Sequence, residues 1–164
     1  MNVFVTADTH FYHERVVKFS KRPFQNAQEM NVMLIKKWND RVSKDDIVFH
    51  LGDFVFKASK YQIKKIKDQL NGTIILVPGN HDNKRILRSL GFVVTGYTLQ
   101  VGNLLMSHHP RKVNDGLVNL HGHLHQLPSY HGINACVDVN NFEPQPIEKF
   151  VKMANEMLGG NGEC

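Results

Sequence analysis

The sequence predicts an α/β domain in which mixed β-sheets form a sandwich flanked by helices, and three observations lead there. Short apolar runs at residues 3–7, 47–49 and 74–77 have the length and β-branched content of buried strands. Segments of helical periodicity separate them. Two further runs flank Gly102-Asn103, a hairpin signal that adds an antiparallel pair. That combination argues for a sheet sandwich more than for a purely parallel doubly wound sheet.

Taken in order, residues 3–7 form the first strand, ended by polar residues. Residues 27–42 follow as a helix: Asn26 and Glu29 have capping-box spacing, with Asn in place of Ser or Thr. Met30, Leu34 and Trp38 then share one face at i, i+4, i+8. Residues 47–49 are the next strand. Tyr61, Ile63, Ile66 and Leu70 mark a helix that stops at the C-terminal cap Asn71-Gly72. The run 74–77 closes at Pro78, and 85–90 is a short helix closed by Gly91. The hairpin occupies 97–101 and 104–107, with strands at 118–120 and 133–139. A last helix begins after Pro146, a favourable first helical residue. One domain over residues 1–158 accommodates all of this, and 159–164 read as a frayed tail.

Composition narrows the functional classes. A chain of 164 residues can bury one core, and 41% hydrophobic against 21% charged residues is the balance of a soluble globular protein. No run approaches eighteen apolar residues, so no membrane partner is expected. No signal peptide is evident, and a cytoplasmic location is the expectation. Cys136 and Cys164 form neither a Cys-x-x-Cys pair nor a zinc-finger spacing, which argues against a disulfide framework or structural zinc. A formal charge of +5 is compatible with an anionic partner, although a solvated surface accounts for so modest an excess. There is no GxxxxGK[ST] phosphate loop, and no Ser or Cys in a nucleophile's setting.

The chemistry lies where strands run out. Asp8-Thr9-His10, Gly52-Asp53, Gly79-Asn80-His81-Asp82, His108-His109 and Gly122-His123-Leu124-His125 each follow an apolar run. All can converge on one sheet edge, the usual ligand position in α/β folds. Carboxylate, imidazole and amide oxygen, without thiolate, suit manganese, iron, zinc or nickel. In an extended strand, Asp-x-His and His-x-His would each place two donors on one face. The glycines beside Asp53, Asn80 and His123 permit tight turns or close backbone approach. Singly, Asp and Asn beside Gly are ordinary turn chemistry; it is the cluster that points to metal.

The order Asp-x-His, Gly-Asp, Gly-Asn-His-Asp, His, Gly-His-x-His resembles the calcineurin-like metallophosphoesterase superfamily. Asp8-Thr9-His10-Phe11, His13, Arg22-Pro23-Phe24, Trp38-Asn39, His50-Leu51-Gly52-Asp53-Phe54, Leu70-Asn71-Gly72 and Val137-Asp138-Val139 before Pro144 extend the likeness to its small, uncapped bacterial and phage members. Tyr12 departs from it, standing where relatives often have Gly.

The resemblance implies a metallophosphoesterase-like sandwich with a dinuclear site at the strand ends. Two divalent ions, manganese first, would be bridged by Asp53. Asp8, His10 and His125 would complete one site, and Asn80, His108 and His123 the other. A metal-bridging hydroxide would attack the phosphate ester of a phosphodiester or nucleotide-type substrate, with a phosphomonoester or a nucleotide- or RNA-binding role as alternatives. His81 would meet the phosphoryl or leaving oxygen and Asp82 would orient it. His13, Arg22 and Asn80 are further candidates for substrate contact, while His109 is a neighbour of the ligand His108.

Overall fold

The computed structural model describes residues 1–159. Its elements run β1 (Val3–Thr6), α1 (Glu14–Phe19), α2 (Ala27–Arg41), β2 (Ile47–His50), α3 (Lys60–Lys67), β3 (Thr73–Leu76), α4 (Lys84–Ser89), β4 (Val93–Val94), β5 (Thr98–Val101), β6 (Leu104–Ser107), β7 (Val118–His121) and β8 (Ile133–Asn134). A 3-10 turn at Val137–Val139, β9 (Gln145–Pro146) and α5 (Ile147–Gly159) follow. Two mixed sheets result, in the orders β4-β3-β2-β1-β9 and β5-β6-β7-β8. In the first, only β9 runs antiparallel to its neighbour; in the second, only β5 does.

Side chains one residue apart on a strand point to opposite faces, so the first sheet feeds two cores. Phe4, Val48, Ile74 and Leu76 pack on the helical side with Met30, Leu34 and Trp38. Val5, Ala7, Leu51 and Val77 turn the other way and meet Leu104, Met106, Val118 and Leu120 of the second sheet, with Phe150 and Ala154 of α5 completing that layer. Trp38 is 1% exposed, and its indole N–H donates to the Asn71 carbonyl. Tyr61, by contrast, is exposed on α3.

The departures from expectation are local. Asn26 caps α2 by accepting the Glu29 N–H, but the Glu29 carboxylate turns to Gln25 N–H, so the reciprocal half of the box is displaced by one residue. The expected strand 133–139 pairs only over Ile133–Asn134. The Asn134 carboxamide oxygen accepts the Cys136 N–H, a local bond that competes with the ladder. Helix α1 and the two-residue strands β4 and β9 were too short to carry a periodic signal. Helix α5 continues through Gly159, and the rest of the expected tail, 160–164, lies outside the described residues.

Candidate metal centre

The loops after β1, β2, β3, β6 and β7 converge at one edge, and the seven expected ligands stand there together. Asp53 lies at the middle: its Oδ2 is 3.5 Å from His10 Nε2 and 3.4 Å from His108 Nε2. On one side, His10 Nε2 is 3.8 Å from Asp8 Oδ1, and the His10 ring stacks on His125 at 5.2 Å between centroids. On the other, His108 Nε2 is 3.0 Å from Asn80 Oδ1 and 3.3 Å from His123 Nδ1. His109 is exposed, with its ring 4.2 Å from that of His123.

The backbone that brings them together is not the extended strand expected from the i, i+2 spacing. Asp8, His10, Asp53, His123 and His125 all have positive φ, between 49° and 71°. Left-handed backbone in non-glycine residues costs on the order of 1–3 kcal/mol each and persists only where the surroundings enforce it. Tight loops therefore aim Asp8 with His10, and His123 with His125, in place of the pleat. The motif glycines serve close approach. A Cβ on Gly79 would collide with the Asp53 carboxylate, and one on Gly122 with Asp8 Oδ2.

Each donor is held by a partner. Asp8 Oδ2 accepts the His123 N–H and the Cys136 thiol, both at 2.9 Å, which leaves Oδ1 facing the cluster. His108 Nδ1 donates to the Leu51 carbonyl at 2.9 Å, turning Nε2 inward. His125 Nδ1 is 2.9 Å from Asp138 Oδ2, and Asp138 is gripped by Arg22 through Nε at 2.9 Å and Nη2 at 2.8 Å. Such partners fix the tautomer and orientation of a metal-binding histidine.

Two expected roles change. Arg22 does not face substrate: its side chain is fully buried, committed to Asp138 and to the Asp8 and Thr9 carbonyls. Asp82 does not orient the His81 ring. Its carboxylate accepts from the Asp53, Phe54 and Gly79 N–H groups and so ties the loop after β2 to the loop after β3.

His81 donates its backbone N–H to Asp53 Oδ1 at 3.0 Å, and its half-exposed ring stands over the site, 3.8 Å from Asp53 Oδ2. His13 caps α1, accepting the Val16 N–H, while its ring lies 5.3 Å from that of His10. Among the structural histidines, His50 hydrogen-bonds Thr9, and His121 is buried against Ser129. Asp138 carried a signal in the sequence, through Val137-Asp138-Val139, but no role. The supporting role of Cys136 had no signal at all.

Electrostatics follow from burial and crowding. Burial pushes the Asp8 carboxyl up to about 6, against the pull of His108. Burial holds His10 neutral, far below the ordinary imidazole range, and lowers His123 to about 4 with help from His109 and His108. Burial also opposes charge on Asp53, yet His108, the His81 amide and His10 hold it well below the carboxylate range. His108 itself stays at about 9, because Asp53 and Asp8 outweigh its burial.

These residues fit a pair of divalent cations. Asp8 Oδ1 and both ring nitrogens of His10 are buried with no hydrogen-bond partner, a costly arrangement that a cation would relieve by taking the lone pairs of Asp8 Oδ1 and of His10 Nε2, the nitrogen that faces Asp8 and Asp53. Donors each held about 2.1 Å from one cation stand roughly 3.0–3.4 Å apart, and the separations around His108 Nε2 are 3.0, 3.3 and 3.4 Å. Asp8, His10 and His125 form one compact ligand group; Asp8, Asp53 and His108 form a second, and His108, His109 and His123 a third.

The chain is similar to several known proteins. A protein of Methanocaldococcus jannaschii, itself uncharacterized, is 31% identical over 92% of this chain and 90% of its own. The gene 66 protein of Mycobacterium phage D29 is 28% identical over 76% of this chain and 78% of its own. Among solved structures, a protein of unknown function from Aquifex aeolicus superposes with a TM-score of 0.73 at 23% identity, covering 93% of this chain and 98% of the other. The nuclease MPE of Pseudomonas putida gives 0.55 at 18% identity, covering 75% and 61%. The sequence model of the calcineurin-like phosphoesterase superfamily domain matches residues 1–140, which carry every one of the clustered donors, and the chain belongs to that superfamily.

Proposed function

We propose that this protein hydrolyses phosphodiesters with the help of two divalent ions, manganese first among them. The carrying observation is the pair of buried, unpartnered donors Asp8 Oδ1 and His10 Nε2, beside a carboxylate within 3.5 Å of ligands on both sides. Asp8, His10, His125 and Asp53 would hold one ion, and Asp53, Asn80, His108 and His123 the other. Such ions activate water and neutralise charge on the phosphoryl group during in-line displacement.

The chain's own residues supply the rest. Asp82, by accepting three N–H groups, keeps Asp53 between the two halves. Asp138 and Arg22 fix the His125 ring. His81 is within reach of a phosphate lying across Asp53, and its ring can donate a proton to the departing oxygen. Arg22, the most central cation among the motifs, is already neutralised by Asp138, so it offers no charge to the second anionic oxygen of a monoester. A monoanionic diester suits the site better.

The test compares bis-p-nitrophenyl phosphate with p-nitrophenyl phosphate after manganese loading. Faster turnover of the diester is expected. Preference for the monoester would replace the reading with a phosphatase, and no turnover of either across manganese, iron, zinc and nickel would overturn it.

A further inference from the structure

A chain of aromatic rings borders the metal centre on the side of His10. Phe56 lies flat on His13, 3.7 Å between centroids and 25° between planes, and meets His81 edge-on at 4.9 Å. Phe19 stands edge-on to both His13 and His125, each at 5.8 Å, yet remains 61% exposed. The rings thus run without a break from a candidate ligand to the candidate proton donor. They are also held in place. Phe56 N–H donates to the Phe11 carbonyl, on the loop that carries His10, and His13 is fixed by its bond to Val16.

Beyond this wall a cavity of about 500 Å³ is lined by Tyr12, His13, Arg15, Phe56 and Lys57, with Glu14 among its walls. Its size is that of a pocket for a nucleoside-sized ligand. Lys57 Nζ lies 5.4 Å from the Phe56 ring centre. The Glu14 carboxylate accepts the Ala27 N–H at 2.9 Å, so it is engaged by a helix end. Arg15 and Lys57 are exposed and form no ion pair among the described residues. Planar apolar faces beside free cations are the elements with which proteins bind single-stranded nucleic acid: rings for the bases, cations for the backbone.

We propose that Phe19 and Phe56, braced by the buried His13 ring between them, form a base-stacking subsite, which takes the nucleobase adjoining the scissile phosphate while Arg15 and Lys57 meet the next phosphate of the strand. The substrate class is then a nucleotidyl phosphodiester, a short or single-stranded nucleic acid. This rests on the phosphodiesterase reading above and adds the chemistry of the group attached to the phosphate.

The experiment uses the manganese-loaded full chain and three substrates: thymidylyl-3′,5′-thymidine and the two analogues in which one or the other base is replaced by hydrogen. For the wild type, loss of one base raises KM roughly tenfold, within the range of base–aromatic stacking. In Phe19→Leu and Phe56→Ala, the KM values for the dinucleotide and that analogue draw together, whereas Phe56→Tyr retains the difference. The leucine variant keeps apolar bulk without a ring at an exposed position, so it tests stacking without threatening the fold. An unchanged base preference in both variants, or none in the wild type, overturns the subsite and leaves the phosphodiesterase reading standing. So does cleavage of bis-p-nitrophenyl phosphate without cleavage of the dinucleotide. If the wild type cleaves neither, both readings fall.

Discussion

The two halves of the metal centre differ in how they are built. Asp8 and His10 are 0% and 2% exposed, and His125 leans on a buried Asp138–Arg22 pair. Asn80 and His123 are exposed, with only His108 of that half buried. Donors locked before an ion arrives lose little freedom on binding it, so the enclosed half should hold its ion tightly. The open half has less support and more solvent, which suits it to exchange and to the approach of substrate.

Asp53 is the ligand that the two proposed sites would share, and its loss should have the largest effect. Asp53→Asn is expected to reduce turnover by more than the ~100-fold that losing a supporting contact costs, with circular dichroism unchanged. Two bound ions and near-normal rates in that variant would break the idea of a shared ligand.

The halves separate at Asp138. Asp138→Asn should weaken binding of the tighter ion by ~10–100-fold, measured by calorimetry. His123→Ala should leave that ion in place and remove the weaker one. Arg22→Met strands the buried Asp138 charge and should lower stability by about 3–5 kcal/mol in denaturant titrations. Equal losses of both ions from Asp138→Asn would mean that the asymmetry of burial has no counterpart in affinity.

A further prediction concerns His50, which is fully buried and hydrogen-bonds Thr9, whose hydroxyl donates to the Phe54 carbonyl. Burial lowers His50 to about 3 from its ordinary 6.5. Between those values the unfolded chain binds a proton that the folded chain does not. Stability therefore rises with pH across that window and is lost as pH falls. Replacing it, as in His50→Asn, should flatten the stability–pH slope between pH 4 and 6 by up to about 1.4 kcal/mol per pH unit. An unchanged slope would show that His50 is protonated in the folded protein.

The smallest effect is expected at the open rim. His123 has φ 71°, and His123→Gly relieves left-handed strain of about 1 kcal/mol. The metal-free variant should then melt roughly 2–4 °C higher. A lower melting temperature would mean that the ring's contacts with His108 and His109 outweigh the strain.

Much of this was legible in the sequence because strand periodicity and short polar motifs are local signals. The runs that became β1, β2, β3, β5, β6 and β7 were marked by their apolar residues, and the donors lay where each run ended. What escaped was decided by contacts across the chain. Arg22 resembled a phosphate-binding cation, but its partner Asp138 lies 116 residues away. Asp82 resembled a partner for the adjacent His81, yet its acceptors are filled by amides of two loops. The i, i+2 spacing suits an extended strand and a left-handed loop alike because sequence does not record φ, and Phe19 and Phe56 carry no cue because ring contacts at a site's mouth have no periodicity.

The donors come from both sheets: Asp8, His10, Asp53 and Asn80 follow strands of the first, and His108, His123 and His125 follow strands of the second. Ions held among them would rivet the seam between the layers. Metal loading would then act as a checkpoint on folding, completed only in chains whose two sheets have closed. Chelation should accordingly speed amide exchange first along that seam, while the amides of α2, packed on the far face of the first sheet, keep their protection.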